Sequence, residues 1–201
     1  VEHLFTTTTH HTLLFFTSRG YVYKLRGYQI PEASRQAKGT AIVNLLPIES
    51  GEKVTAMIAL KDFEDDKYLT FVTRGGIIKK TGLMDYSKIR NGGLRAIDLA
   101  DGDELIRVEL TDGTNDIFIA THDGYAIRFN EKDVRSTGRT TRGVMGIRLH
   151  KNDYVIGAAL ASKDTQLLTV TENGYGKKTP LDEYRIQSRG GLGIFTYRIT
   201  D

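Results

Sequence analysis

Short apolar runs rich in Val, Ile, Thr, Tyr and Phe recur along the chain, and none grows into a stripe with a 3.6-residue period. Four of them share a frame: LLFFTSRGYVYKL from Leu13, YLTFVTRGGIIKK from Tyr68, DIFIATHDGYAIRF from Asp116 and QLLTVTENGYGKKT from Gln166. In each, an apolar run meets a turn ending in glycine, and a second run carries a base four residues on. Anchored on Gly20, Gly75, Gly124 and Gly174, the spacings are 55, 49 and 50, and the bases are Lys24, Lys79, Arg128 and Lys178. A second anchor follows at Gly39, Gly93, Gly143 and Gly191, and a third apolar run ends at Leu60, Leu110 and Leu160. Asp123-Gly124 and Asn173-Gly174 are the pairs favoured in two-residue hairpin turns, where both central residues take positive φ.

These features predict an all-β protein with about four strands per unit. A period near 50 built from antiparallel strands predicts blades arranged about an axis. The expected units are a partial blade at 1–12 and blades at about 13–62, 68–113, 116–163 and 166–201 of one domain. The array starts and stops off a repeat boundary, as an excised piece of a longer one would.

Composition narrows the chemistry only a little. Of 201 residues, 39% are hydrophobic and 26% charged, as in an ordinary globular protein with a real core. With no cysteine there is no disulfide or thiolate metal site, and no signal peptide or membrane-spanning apolar run is evident. The net charge of +3 says little about a partner.

Sorting the charge by repeat phase says more. The segments 19–39, 74–95, 123–148 and 172–193 run from each hairpin turn through the second anchor. They hold 21 of the 28 bases and 8 of the 25 acids, a charge of +13 against −10 for the remainder. Such a segregation predicts a basic band on one edge of the blades. Flanking charges that merely keep sheet edges soluble would not need to recur at one phase in every unit. No matching row of aromatics is available for base stacking, so the band suits duplex backbone better than single strands. Tyr21, Tyr125 and Tyr175, which follow the turn glycines, are read as cover for the sheets. The candidate DNA contacts are Lys24, Arg26, Arg35, Lys38, Lys79, Lys80, Arg90, Arg95, Arg128, Arg135, Arg139, Arg142, Lys177, Lys178 and Arg189. Reversal of Lys79-Lys80 and Lys177-Lys178 to Glu is expected to weaken DNA binding and leave folding intact.

The segments YQIPEASRQAKGTAIVNLLPIE (28–49), DGDELIRVEL (101–110), TTRGVMGIRL (140–149) and TENGYGKKTPLDEY (171–184) resemble the C-terminal domain of the DNA gyrase A protein. The resemblance covers essentially the whole chain. It implies a β-pinwheel whose blades trade strands and whose basic outer rim wraps duplex DNA, supporting ATP-dependent negative supercoiling. It implies as partners the rest of the gyrase A protein and the gyrase B protein in an A2B2 holoenzyme, in the bacterial cytoplasm and with no membrane. ATP and Mg would act elsewhere in that assembly, so this stretch is expected to need no cofactor and to be non-catalytic. The family's box, Gln-Arg-Arg-Gly-Gly-Lys-Gly, is matched at Gln187, Arg189, Gly190, Gly191 and Gly193, but Ser188 and Leu192 depart from it. QSRGGLG therefore reads as a degenerate cousin of the box in a later blade. The equivalent domain of topoisomerase IV is the nearest alternative, and a kelch- or WD-like protein-binding propeller is the rival from another class.

Other chemistries find less support. The glycine-rich loops lack Walker spacing and open no helix. His10-His11 and the dispersed His3, His122 and His150 have no ligand-spaced partner, so no metal is expected. The acid groups FEDD (63–66) and DGDE (101–104) read as solvated turn acids, and no catalytic triad or activated nucleophile is evident.

Overall fold

The computed structural model describes residues 4–162 and 164–197, so His3 and the outer ends of the first and last expected units lie outside the described residues. Each apolar pair of runs forms an antiparallel hairpin: β1 (Thr12–Thr17) with β2 (Tyr21–Arg26), then, after β3 (Val54–Leu60), β4 (Tyr68–Thr73) with β5 (Ile77–Gly82). The short β6 (Leu94–Arg95) and the longer β7 (Leu105–Thr111) precede the third hairpin, β8 (Asp116–Thr121) with β9 (Tyr125–Asn130). Then come β10 (Val144–Met145), β11 (Val155–Ala161), the hairpin of β12 (Gln166–Val170) with β13 (Gly176–Pro180), and β14 (Ile194–Phe195). The described residues contain no α-helix, only short 3-10 turns.

The sheets do not follow the chain unit by unit. Their orders are β3-β1-β2-β6, β10-β5-β4-β7, β11-β8-β9-β14 and the pair β12-β13. In the first three, the strand beside the hairpin's second arm comes from the following unit: Leu94 pairs with Val22, Val144 with Ile78 and Ile194 with Ala126. Blades therefore exchange strands in sequence, and each of these three hairpins is completed by chain about 70 residues downstream.

Why the runs are apolar without alternation follows from the stacking. Successive side chains on a strand point to opposite faces, and here both faces are covered. Phe71 packs back on the first sheet, its ring 5.7 Å from that of Phe16, in a core with Leu14, Val22 and Tyr86. Its neighbour Val72 packs forward with Ile117, Ile119, Ile127 and Phe129 of the third sheet. Phe118 continues the series onto Leu181 and Tyr184, 4.9 Å from the Tyr184 ring. Sheets buried on both faces read as continuous hydrophobic runs.

The hairpin turns differ from expectation. Asp123 and Asn173 do not take positive φ; in each tip the glycine alone does, at Gly20, Gly76, Gly124 and Gly174. The glycine N–H donates to the carbonyl of Thr17, Thr73, Thr121 or Thr171, and the next amide donates to that threonine's Oγ1. This is a three-residue loop with a left-handed glycine closing it, not a two-residue turn. It also moves the turn anchor of the second unit to Gly76, one residue beyond Gly75. Of the later anchors, Gly93 and Gly143 hold as the left-handed glycines entering exchanged strands, and only the last moves, from Gly191 to Gly193. A Cβ on Gly143 or Gly193 would lie 2.5 Å from the Ile78 or Ala126 carbonyl oxygen, so close backbone approach fixes those positions.

Acids hold the tips from outside. Asp103 Oδ1 accepts from the Gly75 and Glu104 amides, and Asp153 Oδ1 accepts from Asp123 and Tyr154. In the first unit Thr17 Oγ1 donates to Glu52, which is buried. The DGDE acids are thus not simply solvated: Asp103 is a cap.

Candidate nucleic-acid interface

The strands β3, β7 and β11 form one edge of their sheets and pack against one another, so the edge carrying the exchanged strand faces outward. The segments that carry the chain to that outer edge are 83–93, 131–143 and 181–193, and they lie within the basic arms. Backbone hydrogen bonds tie them down. Thr137 N–H donates to the Lys80 carbonyl, Gln187 to Arg128, and the Ala96, Gly146 and Thr196 amides donate to the carbonyls of the tip glycines.

The fifteen predicted bases divide into two kinds. Arg26, Arg35, Lys38, Arg90, Arg135, Lys177 and Lys178 are exposed and have no carboxylate within ion-pair distance among the described residues. Arg26 also donates to the His10 carbonyl at 3.0 Å. Arg95 and Arg142 are exposed too, but both reach Asp98, at 3.4 and 3.2 Å, which joins two successive units. Lys24, Arg139 and Arg189 are half-buried. Arg189 donates to the carbonyls of Asp133 and Met145 in the preceding unit, which holds the QSRGGLG loop against the outer edge.

Lys79, Lys80 and Arg128 are of the second kind and correct the sequence reading. The base four residues after the tip glycine is Lys80, not Lys79: Lys24, Lys80, Arg128 and Lys178 stand opposite Leu14, Thr70, Phe118 and Leu168. At this phase, in the second and third units, the base is a strap to the next unit. Lys80 Nζ donates to the Glu131 carbonyl at 2.9 Å and lies 3.8 Å from its carboxylate, which is fully buried. Arg128 donates to the Leu181 carbonyl at 2.9 Å, and its other nitrogen is 2.8 Å from Asp116. Glu131 and Leu181 each open the 3-10 turn of the following unit.

Lys79 sits one step earlier, at the phase of Tyr23 and Ile127, and is 1% exposed. Its ammonium donates to the carbonyls of Ala96 at 2.8 Å and Arg139 at 2.9 Å, with Tyr86 Oη 3.4 Å away. Burial pulls its pKa down from 10.5 to about 7, against the smaller opposing pull of Asp85. Burial likewise lowers Lys80, with Glu131 opposing, and pushes the Tyr86 hydroxyl up. Neither lysine presents its charge to a phosphate, because a buried ammonium is held where carbonyls replace its water.

Reasoning from the sequence also passed over exposed bases on the same outer path: Lys88, Lys132, Arg148 and Arg185. Their signal was position near the exchanged strand, after the second arm of a hairpin, rather than a fixed distance from the turn.

Stacked, strand-exchanging sheets with bases gathered on the outward edge define a propeller-like array with a candidate surface for a polyanion. The family described as DNA gyrase C-terminal domain, beta-propeller, matches residues 11–61, 67–112, 115–162 and 165–201, and the chain belongs to this family. It is 48% identical over 204 aligned residues to the DNA gyrase A protein of Staphylococcus epidermidis (strain ATCC 12228 / FDA PCI 1200) and 47% identical to that of Staphylococcus aureus (strain NCTC 8325 / PS 47). Each alignment covers 100% of this chain and 23% of the relative, so the chain spans about a quarter of their length. Among solved structures, the C-terminal domain of DNA topoisomerase IV matches with a TM-score of 0.87 and 35% identity, covering 94% of this chain and 59% of that one. The DNA gyrase A C-terminal domain matches with a TM-score of 0.78 and 28% identity, covering 94% and 60%. The family assignment and the sequence relatives favour gyrase over topoisomerase IV, although the fold is common to both.

Proposed function

We propose that the outer edge binds duplex DNA and bends it along the array. The observation that carries this is the gathering of exposed bases with no carboxylate in ion-pair distance among the described residues, Lys88, Arg90, Lys132, Arg135 and Arg185, on the segments leading to the exchanged strands, while Asp103 and Asp153 cap hairpin tips and Glu131 and Asp116 pair within straps. Phosphate contacts set position without reading bases, so binding is largely sequence-independent and driven by counterion release. Smooth bending through 40–90° costs on the order of 1–6 kcal/mol, which several contacts per unit can offset. The domain contributes wrapping rather than chemistry: it works as part of a gyrase A protein, with the gyrase B protein, in the bacterial cytoplasm, and the ATP and Mg chemistry belongs to other parts of that assembly.

Ligation of short DNA circles in the presence of the chain, repeated across salt, tests the reading. Wrapping alters the distribution of circle topology, and affinity falls with a steep log–log slope of about 0.9 per phosphate contact. Affinity that barely changes with salt would exclude it, and so would binding without any topological change.

A further inference from the structure

Three side chains outside the basic edge come together in the third unit. His122 and Asp123 occupy the β8–β9 hairpin tip, and Asp153 precedes β11, which pairs with β8. One ligand atom from each lies within 4.8 Å of the others. The imidazole Nδ1 is 3.0 Å from Asp123 Oδ1. Asp153 is 8% exposed, and its two oxygens have different fates. Oδ1 caps the Asp123 and Tyr154 amides at 3.0 and 2.8 Å, while Oδ2 is buried with no hydrogen-bond partner among the described residues. A buried carboxylate oxygen without a donor is costly, and with an imidazole and a second carboxylate beside it a cation is one partner that would satisfy it. The imidazole is steadied from outside the cluster: its ring stacks on Tyr154 at 4.7 Å.

We propose that His122, Asp123 and Asp153 bind a divalent first-row transition ion, with Zn2+ favoured. One nitrogen and two carboxylates suit zinc, whereas Ca2+ prefers an all-oxygen shell of six to eight ligands. Metal–ligand bonds of about 2.0–2.2 Å require the three atoms to draw closer than they stand. His122 and Asp123, whose side chains are each 44% exposed, have the freedom to do so around the fixed Asp153. The ion ties the hairpin tip to the start of β11 and neutralises two carboxylates there.

The second unit supplies an internal control. Asp103 makes the same cap onto Gly75 and Glu104, but Arg74 and Gly75 stand where His122 and Asp123 do, so the cap exists there without a ligand set.

The test is calorimetric titration of the full chain with Zn2+ in a non-coordinating buffer, with Ca2+ run in parallel and thermal melts with and without zinc. One saturable Zn2+ per chain is expected, with a raised Tm and no comparable Ca2+ response. Asp153→Asn retains a carbonyl oxygen for the cap, and should weaken binding at least tenfold, as should His122→Ala and Asp123→Asn. Asp103→Asn should leave zinc affinity unchanged. Zinc binding that survives the His122→Ala/Asp123→Asn double substitution would assign it to other histidines and overturn the proposal. A lack of saturable binding to the folded parent chain would overturn it equally.

Discussion

Two Lys-Lys-Thr triplets, Lys79-Lys80-Thr81 and Lys177-Lys178-Thr179, stand at the same phase of the repeat and in opposite environments. In the second unit both lysines are buried, at 1% and 7% exposure, and bind carbonyls of the second and third units. In the fourth unit both are exposed, and among the described residues no later unit packs against them. Identical letters thus meet a following unit in one place and, among the described residues, none in the other. What separates them is the following unit, whose 3-10 turn and exchanged strand bring the carbonyls that take the ammonium out of water.

The largest expected effect comes from breaking the buried pair. Lys79→Glu places a carboxylate among the Ala96 and Arg139 carbonyls, and Lys80→Glu sets one beside the buried Glu131. Removing one partner of a buried pair costs about 3–5 kcal/mol, and reversal costs at least that. Either variant should lose much of the domain's stability in denaturant melts, so the expectation that reversal at Lys79-Lys80 leaves folding intact is corrected. Loss of DNA binding in these variants would report unfolding rather than a lost contact.

A pH series isolates Lys79 more gently. Its pKa is lowered in the folded state to about 7 from 10.5. Between those values the unfolded chain binds more protons, so stability rises with pH across about 7 to 10.5 and the cost of burying the charge is fully present below pH 7. Lys79→Met removes this contribution: its denaturation midpoint, relative to the parent, should compare best near neutral pH and worst near pH 10. Parallel midpoint-against-pH curves for the two proteins would show that Lys79 does not titrate this way.

The exposed pair gives the complementary result. Lys177→Glu/Lys178→Glu should change folding stability by no more than about 0.5 kcal/mol per site. If both ammoniums meet phosphate, DNA affinity falls and the salt slope becomes shallower by about 1.8. An unchanged slope would remove this pair from the interface while leaving the seam argument untouched.

The contrast also marks what could be read in advance. Repeat phase and apolar runs were legible because two-sided burial writes a continuous hydrophobic signal, as in Leu13–Phe16 and Ile117–Ile119. The separation of charge along the chain was legible for the same reason of recurrence. Strand exchange was not readable from the residues themselves, since Leu94-Arg95 and Val144-Met145 are two-residue strands whose partners lie far upstream. Nor was the burial of Lys79, because a lysine in a run of Ile-Ile-Lys-Lys reads as solvated unless the carbonyls waiting for it are known. Gly75-Gly76 hid the frame further, since only backbone conformation tells which glycine closes the turn.

The smallest effect concerns Asp98, which sits between the two kinds of base. It holds Arg95 from its own unit and Arg142 from the next, and all three side chains are at least one-third exposed. Exposed pairs contribute about 0–1 kcal/mol, so Asp98→Ala should barely move the melting curve. On DNA its sign should be opposite to that of every lysine reversal. A carboxylate beside two outward guanidiniums both repels phosphate and competes for the same donors, so its removal frees Arg95 and Arg142 for the backbone. Affinity should rise modestly and the salt slope steepen by less than the about 1.8 of two wholly new contacts, because both arginines are already exposed beside Asp98. Weaker binding by Asp98→Ala would mean that the Arg–Asp–Arg link positions the outer edge rather than restraining its charge.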